Sequence, residues 1–261
     1  MDEMKTRYSQ AAQTLQPRSS DLYRSPVRAR DVTSATDGAV ALAEAGWAVQ
    51  VVRGAPAGSS PAVSIDLATR TLTQDEAVRR VKAVGPALSS ARVIVKQFDS
   101  TLRGHVVAET LALLSATGRT RAVVAPAFAL AGRTTVNGCQ LVNGIPVGDS
   151  EYARDPLNPA ISSDVTALFK AQNTKTSLSE RDLPEILIQD ATTETELDKI
   201  IEKYAWQPGL MLAGFTGIVR ALARSGPRPS KSTSSARMQP CRRVLVIVGS
   251  VKPLSRAQLK S

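Results

Sequence analysis

One nine-residue stretch of the sequence, Lys96 to Gly104, concentrates side chains that can bind a small anion. It reads KQFDSTLRG and places a lysine, an aspartate, two hydroxyl groups and an arginine directly after an apolar run, Ala91 to Val95. The guanidinium of Arg103 can hold a carboxylate or a phosphate through two parallel hydrogen bonds. The free N–H groups and the dipole at the start of a following helix would favour the same anion.

A simpler role is also open to these residues. Asp99, Ser100 or Thr101 can cap the helix that the apolar spacing after Arg103 predicts, and capping residues are common at such turns. His105 is the single histidine of the chain, and a surface or packing role fits it better than the role of a base. The sequence alone therefore leaves both anion binding and capping open for this turn.

An acidic cluster precedes another predicted helix. Asp31, Thr33 and Asp37 lie at or just before a helix that begins at Thr36. Their side chains can cap that helix. The alternative is that the carboxylates hold hydroxyl groups of a ligand.

Arg133 and Thr134 form a second cationic turn. They belong to a loop-like stretch, APAFALAGRTT, that starts where the strand predicted at 121–125 ends. In open α/β sheets, ligands bind outside the carboxyl ends of the strands. We therefore expect Arg133 beside Arg103, with the two guanidinium groups converging on a small hydroxylated anion.

The elements that position these turns follow an α/β pattern. Apolar runs typical of buried strands alternate with helical spacing, which predicts a mainly parallel sheet with flanking helices. The predicted strands are 48–52, 63–66, 91–95, 121–125, 185–189 and 210–213, and the predicted helices are 36–46, 73–84, 104–116, 163–171, 193–204 and 216–224. The segment 138–147 departs from this alternation, because two short β-type runs flank Asn143-Gly144, a dipeptide suited to a type I′ turn. We expect a β-hairpin insertion there.

Composition divides the chain into four parts. Residues 1–28 are polar and poorly defined, and residues 29–224 carry the alternating pattern. Residues 225–242 have the basic, Ser- and Pro-rich composition of a flexible linker. Residues 243–261 hold an apolar strand, VLVIV, and one helix start, which cannot bury themselves alone. They must dock on the first domain, swap into a partner of a homodimer, or open a C-terminal domain truncated at Ser261.

Charge and hydropathy exclude several classes of protein. No acidic residue follows Glu202, whereas eleven lysines or arginines do, so the net charge of +10 belongs to the tail. A basic tail without a recognisable nucleic-acid module favours a solvated linker over nucleic-acid binding. No run approaches the ~18 apolar residues of a membrane span, and the N-terminus lacks an apolar signal core, which predicts a cytoplasmic protein. The isolated Cys139 and Cys241 predict neither a zinc site nor a disulfide framework.

With these stretches in view, the chain resembles the four-carbon acid sugar kinases, whose members phosphorylate D-threonate, D-erythronate or 3-oxo-tetronate with ATP. The resemblance rests on KQFDSTLRG, on APAFALAGRTT with GCQLVNGIPV, on EYARDPLNP at 151–159 and on VGSVKPLSRAQ at 248–258. Two features depart from the family. Its first motif looks like ADDLTGA-x-D, whereas this chain reads ARDVTSATD, with Arg30 in place of an aspartate and Ser34 in place of a glycine. The family's Gly-rich nucleotide-binding segments would lie beyond Ser261.

The resemblance implies a sugar-acid-binding domain of a phosphotransferase that uses ATP and Mg²⁺. It implies that Arg103 and Arg133 bind the substrate carboxylate, with Lys96 as a lesser candidate, and that Asp31 lies nearest the reacting hydroxyl. No metal ligand is expected from this part of the family. The expected site is Asp31 as the catalytic residue, Asp37, Lys96, Asp99, Ser100, Thr101, Arg103, Arg133 and Thr134 for the substrate, and Ser250 for the nucleotide.

Two functional interpretations stay open at this point. The first is an acid sugar kinase, of which this chain alone is expected to turn over little or no ATP. The second is a non-catalytic sugar-acid-binding remnant of such a kinase. Arg30 and the lack of a convincing first strand favour the second interpretation.

Overall fold

Strands and helices alternate along the part of the chain that the structure describes. The structure is a computed structural model and describes residues 32–54, 60–155, 159–173 and 184–226. The α/β prediction is confirmed, with parallel strands flanked by helices. Several predictions lie outside the described residues: the segment 1–28, Arg30, Asp31, most of the 225–242 linker, and the 243–261 segment with Ser250.

Nine strands and six helices make up the described chain. The strands are β1 (Val49–Arg53), β2 (Ala62–Asp66), β3 (Val95–Gln97), β4 (Arg121–Ala125), β5 (Arg133–Val136), β6 (Cys139–Val142), β7 (Ile145–Pro146), β8 (Glu185–Ile188) and β9 (Leu210–Gly214). The helices are α1 (Val32–Glu44), α2 (Gln74–Leu88), α3 (Val106–Thr117), α4 (Val165–Asn173), α5 (Glu194–Tyr204) and α6 (Thr216–Ser225). None of these helices is long and apolar enough to cross a membrane.

The main sheet is parallel and has the strand order β3-β9-β4-β8. Its two central strands are nearly continuous apolar runs, as strands covered on both faces require. Alternate residues serve opposite faces: Val123 and Leu212 pack in a cluster with α1, α5 and α6, whereas Ala122 and Met211 pack in one with α2 and α3. The sheet is therefore the middle layer of a three-layer core, and the polar turns follow the carboxyl ends of its strands.

A second parallel pair, β1 and β2, is joined to the main sheet by α1. The Ser64 hydroxyl on β2 donates to the Ala35 carbonyl of α1 at 2.8 Å. On the other side, a methyl group added at Gly38 of α1 would lie 2.6 Å from Oε1 of Gln97 on β3. Within the described chain, β1 pairs only with β2 and β3 only with β9, so α1 is the element that contacts both sheets.

The β-hairpin prediction is confirmed and extended. β6 and β7 form the predicted antiparallel pair around Asn143-Gly144, and β5 adds a third strand through a second turn at Asn137-Gly138. All four turn residues have positive φ, as a type I′ turn requires. The loop predicted for APAFALAGRTT is therefore wrong at its end, where Arg133 and Thr134 begin β5.

Element ends differ from the prediction where tertiary pairing sets them. The strand predicted at 91–95 is shifted, because pairing with β9 places β3 at Val95–Gln97. The first helix begins at Val32, earlier than the predicted Thr36. The helix predicted at 73–84 is capped by Thr73, whose hydroxyl accepts from Glu76 N. Glu76 itself pairs with Arg79 and Arg80 on the same helix.

Gly85 allows α2 and α3 to pack closely, and alanine there is predicted to destabilise the fold. A methyl group at Gly85 would lie 2.8 Å from the backbone oxygen of Ala116. Overpacking costs about 1–3 kcal/mol, which exceeds the ~1 kcal/mol that alanine gains over glycine in a helix. We expect Gly85→Ala to lower the free energy of unfolding in urea, with the exposed Lys82→Ala as the matched control on α2. A Gly85→Ala variant as stable as the wild type would contradict this packing.

Candidate anion-binding site

The turn after β3 is shaped by the side chain of Asp99. Its Oδ1 accepts from the Thr101 backbone N–H at 2.8 Å and also from the Thr101 hydroxyl. The Leu102 backbone N–H donates to the Asp99 carbonyl at 2.9 Å, and Leu102 has a φ of 58°. Its side chain is buried against Phe98 and Val106. Burial thus holds a residue other than glycine in the left-handed region, a conformation that costs free energy.

The other oxygen of Asp99 joins two guanidinium groups. Oδ2 lies 2.8 Å from Arg103 Nη2 and 3.0 Å from Nη2 of Arg70, which is in the loop after β2. Arg103 Nη1 continues the series to Asp155 Oδ2 at 2.7 Å. Cations and carboxylates therefore alternate from Arg70 through Asp99 and Arg103 to Asp155.

These ion pairs control protonation within the turn. Burial by itself would raise the pKa of Asp99, but the hydrogen bond and charge of Arg103, with help from Thr101 and Arg70, lower it below its ordinary value. Burial would also lower the pKa of Arg103, and its contacts with Asp99 and Asp155 raise it instead. The carboxylate and the guanidinium are both charged near neutral pH.

Arg133 also contacts Tyr152. Its Nη2 donates to the Tyr152 hydroxyl at 3.0 Å and its Nη1 donates to the Ala131 carbonyl at 2.6 Å. The Cζ atoms of Arg103 and Arg133 lie 5.2 Å and 5.6 Å from the centre of the Tyr152 ring. The structure therefore brings both arginines to one aromatic side chain.

Both arginines also hold a buried donor. Among the described residues, three buried guanidinium Nε atoms have no hydrogen-bond partner, and two of them belong to Arg103 and Arg133; the third is in Arg220 on α6. Unpaired buried donors are uncommon in folded proteins. Acceptor atoms of a bound ligand would satisfy them.

Lys96 is held away from this arginine pair by a partner of its own. Its Nζ forms a 2.8 Å ion pair with Glu109 on α3 and donates to the Gln97 carbonyl at 2.8 Å. Burial tends to raise the pKa of Glu109, but the charge and hydrogen bond of Lys96 lower it. Lys96 therefore neutralises a buried carboxylate in this structure.

The remaining predicted residues have different surroundings. Asp37 is largely exposed on α1, and partial desolvation of its carboxyl group raises its pKa. Ser100 and Thr101 are buried, and the Ser100 carbonyl accepts from Gln140 Nε2 at 3.0 Å. Thr134 pairs with Leu141 in the antiparallel sheet. Asp37 is the one that is open to solvent.

Residues 27–222 match the family model described as the sugar-binding N-terminal domain. The chain belongs to this family. Among curated relatives, it is 31% identical to a D-threonate kinase of Salmonella typhimurium, with 89% of this chain and 59% of that protein covered. It is 30% identical to a D-erythronate kinase of Heliobacterium modesticaldum, with 76% and 49% covered. The chain thus spans roughly half to three fifths of the length of these relatives.

Solved structures share the fold of this chain. A domain of unknown function from Bordetella bronchiseptica, described as a domain-swapped dimer with bound citrate, aligns with a TM-score of 0.64 at 29% identity. The alignment covers 75% of this chain and 55% of the Bordetella chain. A Haemophilus influenzae protein at 20% identity and a TM-score of 0.61 shares the fold.

Several site residues were missed by the sequence-based prediction. Tyr152 and Asp155 lie in EYARDPLNP, a stretch already singled out, so their motif was a usable signal. Arg70 had no such signal. Gln140 is fully buried. Its Oε1 accepts from Thr135 Oγ1 at 2.9 Å, and its Nε2 donates to the Ser100 carbonyl, so it connects β5 to the turn after β3.

His105 has a structural position in the described chain. Its Nε2 lies 2.7 Å from the Leu72 carbonyl, so the ring nitrogen donates to that oxygen. This contact ties the loop that carries Arg70 to the start of α3. It agrees with the packing role expected for the residue.

The described residues do not fit a resident metal ion. In the ranges that the structure covers, no three His, Cys, Asp or Glu side chains are grouped as ligands. Asp99 and Asp155, the nearest carboxylates to the arginines, are already paired with guanidinium groups. The described residues therefore offer no set of ligands for Mg²⁺.

Asp99→Asn is predicted to destabilise the fold in a pH-dependent way. At pH 7 we expect a loss of about 3 kcal/mol in unfolding free energy, because partly buried cations lose their shared carboxylate. Since folding lowers the pKa of Asp99, its contribution is present above the unfolded value of 3.8 and is lost as the pH falls through the folded value.

Urea titrations of both proteins at several pH values measure this difference. It should be constant between about pH 5 and pH 8 and shrink below about pH 4. Asp75→Asn, at an exposed carboxylate in the first turn of α2, is the control and should cost less than about 1 kcal/mol. A difference that grows as the pH falls would show that Asp99 does not act as a paired carboxylate.

Proposed function

We propose that residues 29–224 form a domain that binds a four-carbon sugar acid at Arg103 and Arg133, as the substrate-binding half of an ATP-dependent kinase. The observation that carries this proposal is the approach of both guanidinium groups to Tyr152 at the carboxyl edge of the sheet. This edge is where open α/β sheets bind ligands. The relatives named D-threonate kinase, D-erythronate kinase and 3-oxo-tetronate kinase support the substrate class.

The partners of Arg133 support a ligand with a carboxylate. Arg103 is paired with Asp99 and Asp155. Arg133 instead donates to two neutral groups, the Tyr152 hydroxyl and the Ala131 carbonyl. The carboxylate of a sugar acid would supply a counter-charge to Arg133, and planar guanidinium groups suit that geometry.

The chain's own residues would bind and orient the acid. Arg133 donates to a hydroxyl and a carbonyl oxygen, so it can turn to a substrate carboxylate without leaving a buried carboxylate unpaired. Asp99 holds Arg103 in place. Asp31, by resemblance the residue nearest the reacting hydroxyl, lies outside the described residues, as does Ser250. ATP would supply the phosphoryl group.

A non-catalytic binding domain is the second candidate function. The observation that favours it is Arg30, which reverses the charge where the family motif has an aspartate. Both candidates share the acid-binding site. The two candidates can be distinguished by making the Arg30→Asp substitution in a chain joined to a relative's C-terminal half. A kinase should then gain ATP-dependent phosphorylation of the acid, whereas a repurposed binding domain should not.

Sugar acids are predicted to stabilise this domain through Arg133. At about 100 times its Kd, D-threonate or D-erythronate should add ~2.7 kcal/mol to the unfolding free energy and raise the Tm by several degrees. Arg133→Ala should abolish the shift in a thermal melt.

Arg121→Ala is the matched control for this measurement. Arg121 also carries a half-exposed guanidinium, paired with Glu185 at 2.7 Å, but it lies at the amino end of β4. Its variant should keep the full shift. If no acid of a four-carbon panel raises the Tm of the wild type, the proposed function is wrong.

A further inference from the structure

We propose that Tyr152 is a positioning residue that sets the separation and orientation of the two guanidinium groups that receive the acid. This inference rests on the proposed function. It adds a residue that acts through the two arginines and is given no contact with the substrate. It concerns how the site is held ready, since the two arginines come from distant parts of the chain.

Tyr152 contacts both arginines in different ways. The Cζ atoms of Arg103 and Arg133 lie 5.2 Å and 5.6 Å from the ring centre, within the range of a cation–π interaction. The Tyr152 hydroxyl also accepts a hydrogen bond from Arg133 Nη2 at 3.0 Å. Attraction of each guanidinium group to the same ring favours this shared placement.

The ring is anchored by groups that do not depend on a ligand. The Tyr152 backbone N–H donates to Ser150 Oγ at 3.3 Å, and its carbonyl accepts from the Ala160 N–H at 3.0 Å. Ser150 in turn donates to the Val147 carbonyl at 2.7 Å. The side chain packs against the cluster that also buries Leu102 of the Asp99 turn.

Anchoring of this kind prepares the site before binding. Arg103 is fixed at its Nη atoms by Asp99 and Asp155, whereas Arg133 is fixed by Tyr152 and one carbonyl. Tyr152 is therefore the side chain that relates the position of Arg133 to that of Arg103. A preorganised pair loses less conformational entropy on binding than a flexible one.

Two substitutions separate the ring from the hydroxyl. Tyr152→Phe keeps the ring for both arginines and removes the oxygen that accepts from Arg133. Tyr152→Leu removes both. Tyr204→Phe is the matched control, because Tyr204 also carries a cation over its ring, Lys203 Nζ at 4.7 Å, but is buried in the cluster of α5 and α6.

The Kd of D-threonate, measured by titration calorimetry on the full chain, tests the role. We expect Tyr152→Phe to weaken binding about 3- to 10-fold and Tyr152→Leu about 10- to 100-fold, from the loss of a charged hydrogen bond and then of the ring as well. Tyr204→Phe should leave the Kd unchanged. If Tyr152 had a structural role alone, its substitution would alter the Tm. The Tyr152→Phe variant would then bind D-threonate with the wild-type Kd.

The outcomes distinguish this inference from the proposed function. If the wild type binds and both Tyr152 variants bind with its Kd, the inference is overturned and the proposed function stands. If Tyr152→Leu fails to fold, Tyr152→Phe decides by the same comparison. If the wild type binds no four-carbon acid, the proposed function fails, and this inference fails with it.

Discussion

The carboxylate of Asp99 is the group on which the arrangement at this edge of the sheet depends. One oxygen shapes its own turn through Thr101, and the other joins Arg70 and Arg103 from separate loops. A partly buried guanidinium without a counter-charge is costly, so each arginine adopts its position because the carboxylate is there. Asp99 thereby positions both guanidinium groups in this structure.

The antiparallel sheet brings the second cation to the first. Arg133 begins β5, and the fully buried Gln140 on β6 reaches the Ser100 carbonyl in the Asp99 turn. A buried amide is stable only when its polar atoms are paired, which fixes the sheet against the turn. The insertion thus lies against the Asp99 turn and forms part of the candidate site.

The partners of the two arginines differ in charge. Arg103 is paired with Asp99 and Asp155, whereas Arg133 donates to a hydroxyl and a carbonyl oxygen. Lys96 is neutralised by Glu109. The chain spans roughly half to three fifths of the length of the relatives that match, so the phosphoryl transfer of a whole kinase belongs to the proposed function and not to the described residues.

The amino-acid pattern was sufficient to predict the alternation of strands and helices, the apolar runs of β4 and β9, and the Asn143-Gly144 hairpin turn. These features depend on local periodicity and on turn residues, which a sequence displays directly. Which charges meet depends instead on the tertiary fold. Arg103 and Asp155 are 52 residues apart, and Arg70 lies in a loop with no motif. Their pairing follows from the order of the strands and the loops that the sheet brings to one edge, and no local pattern encodes that order.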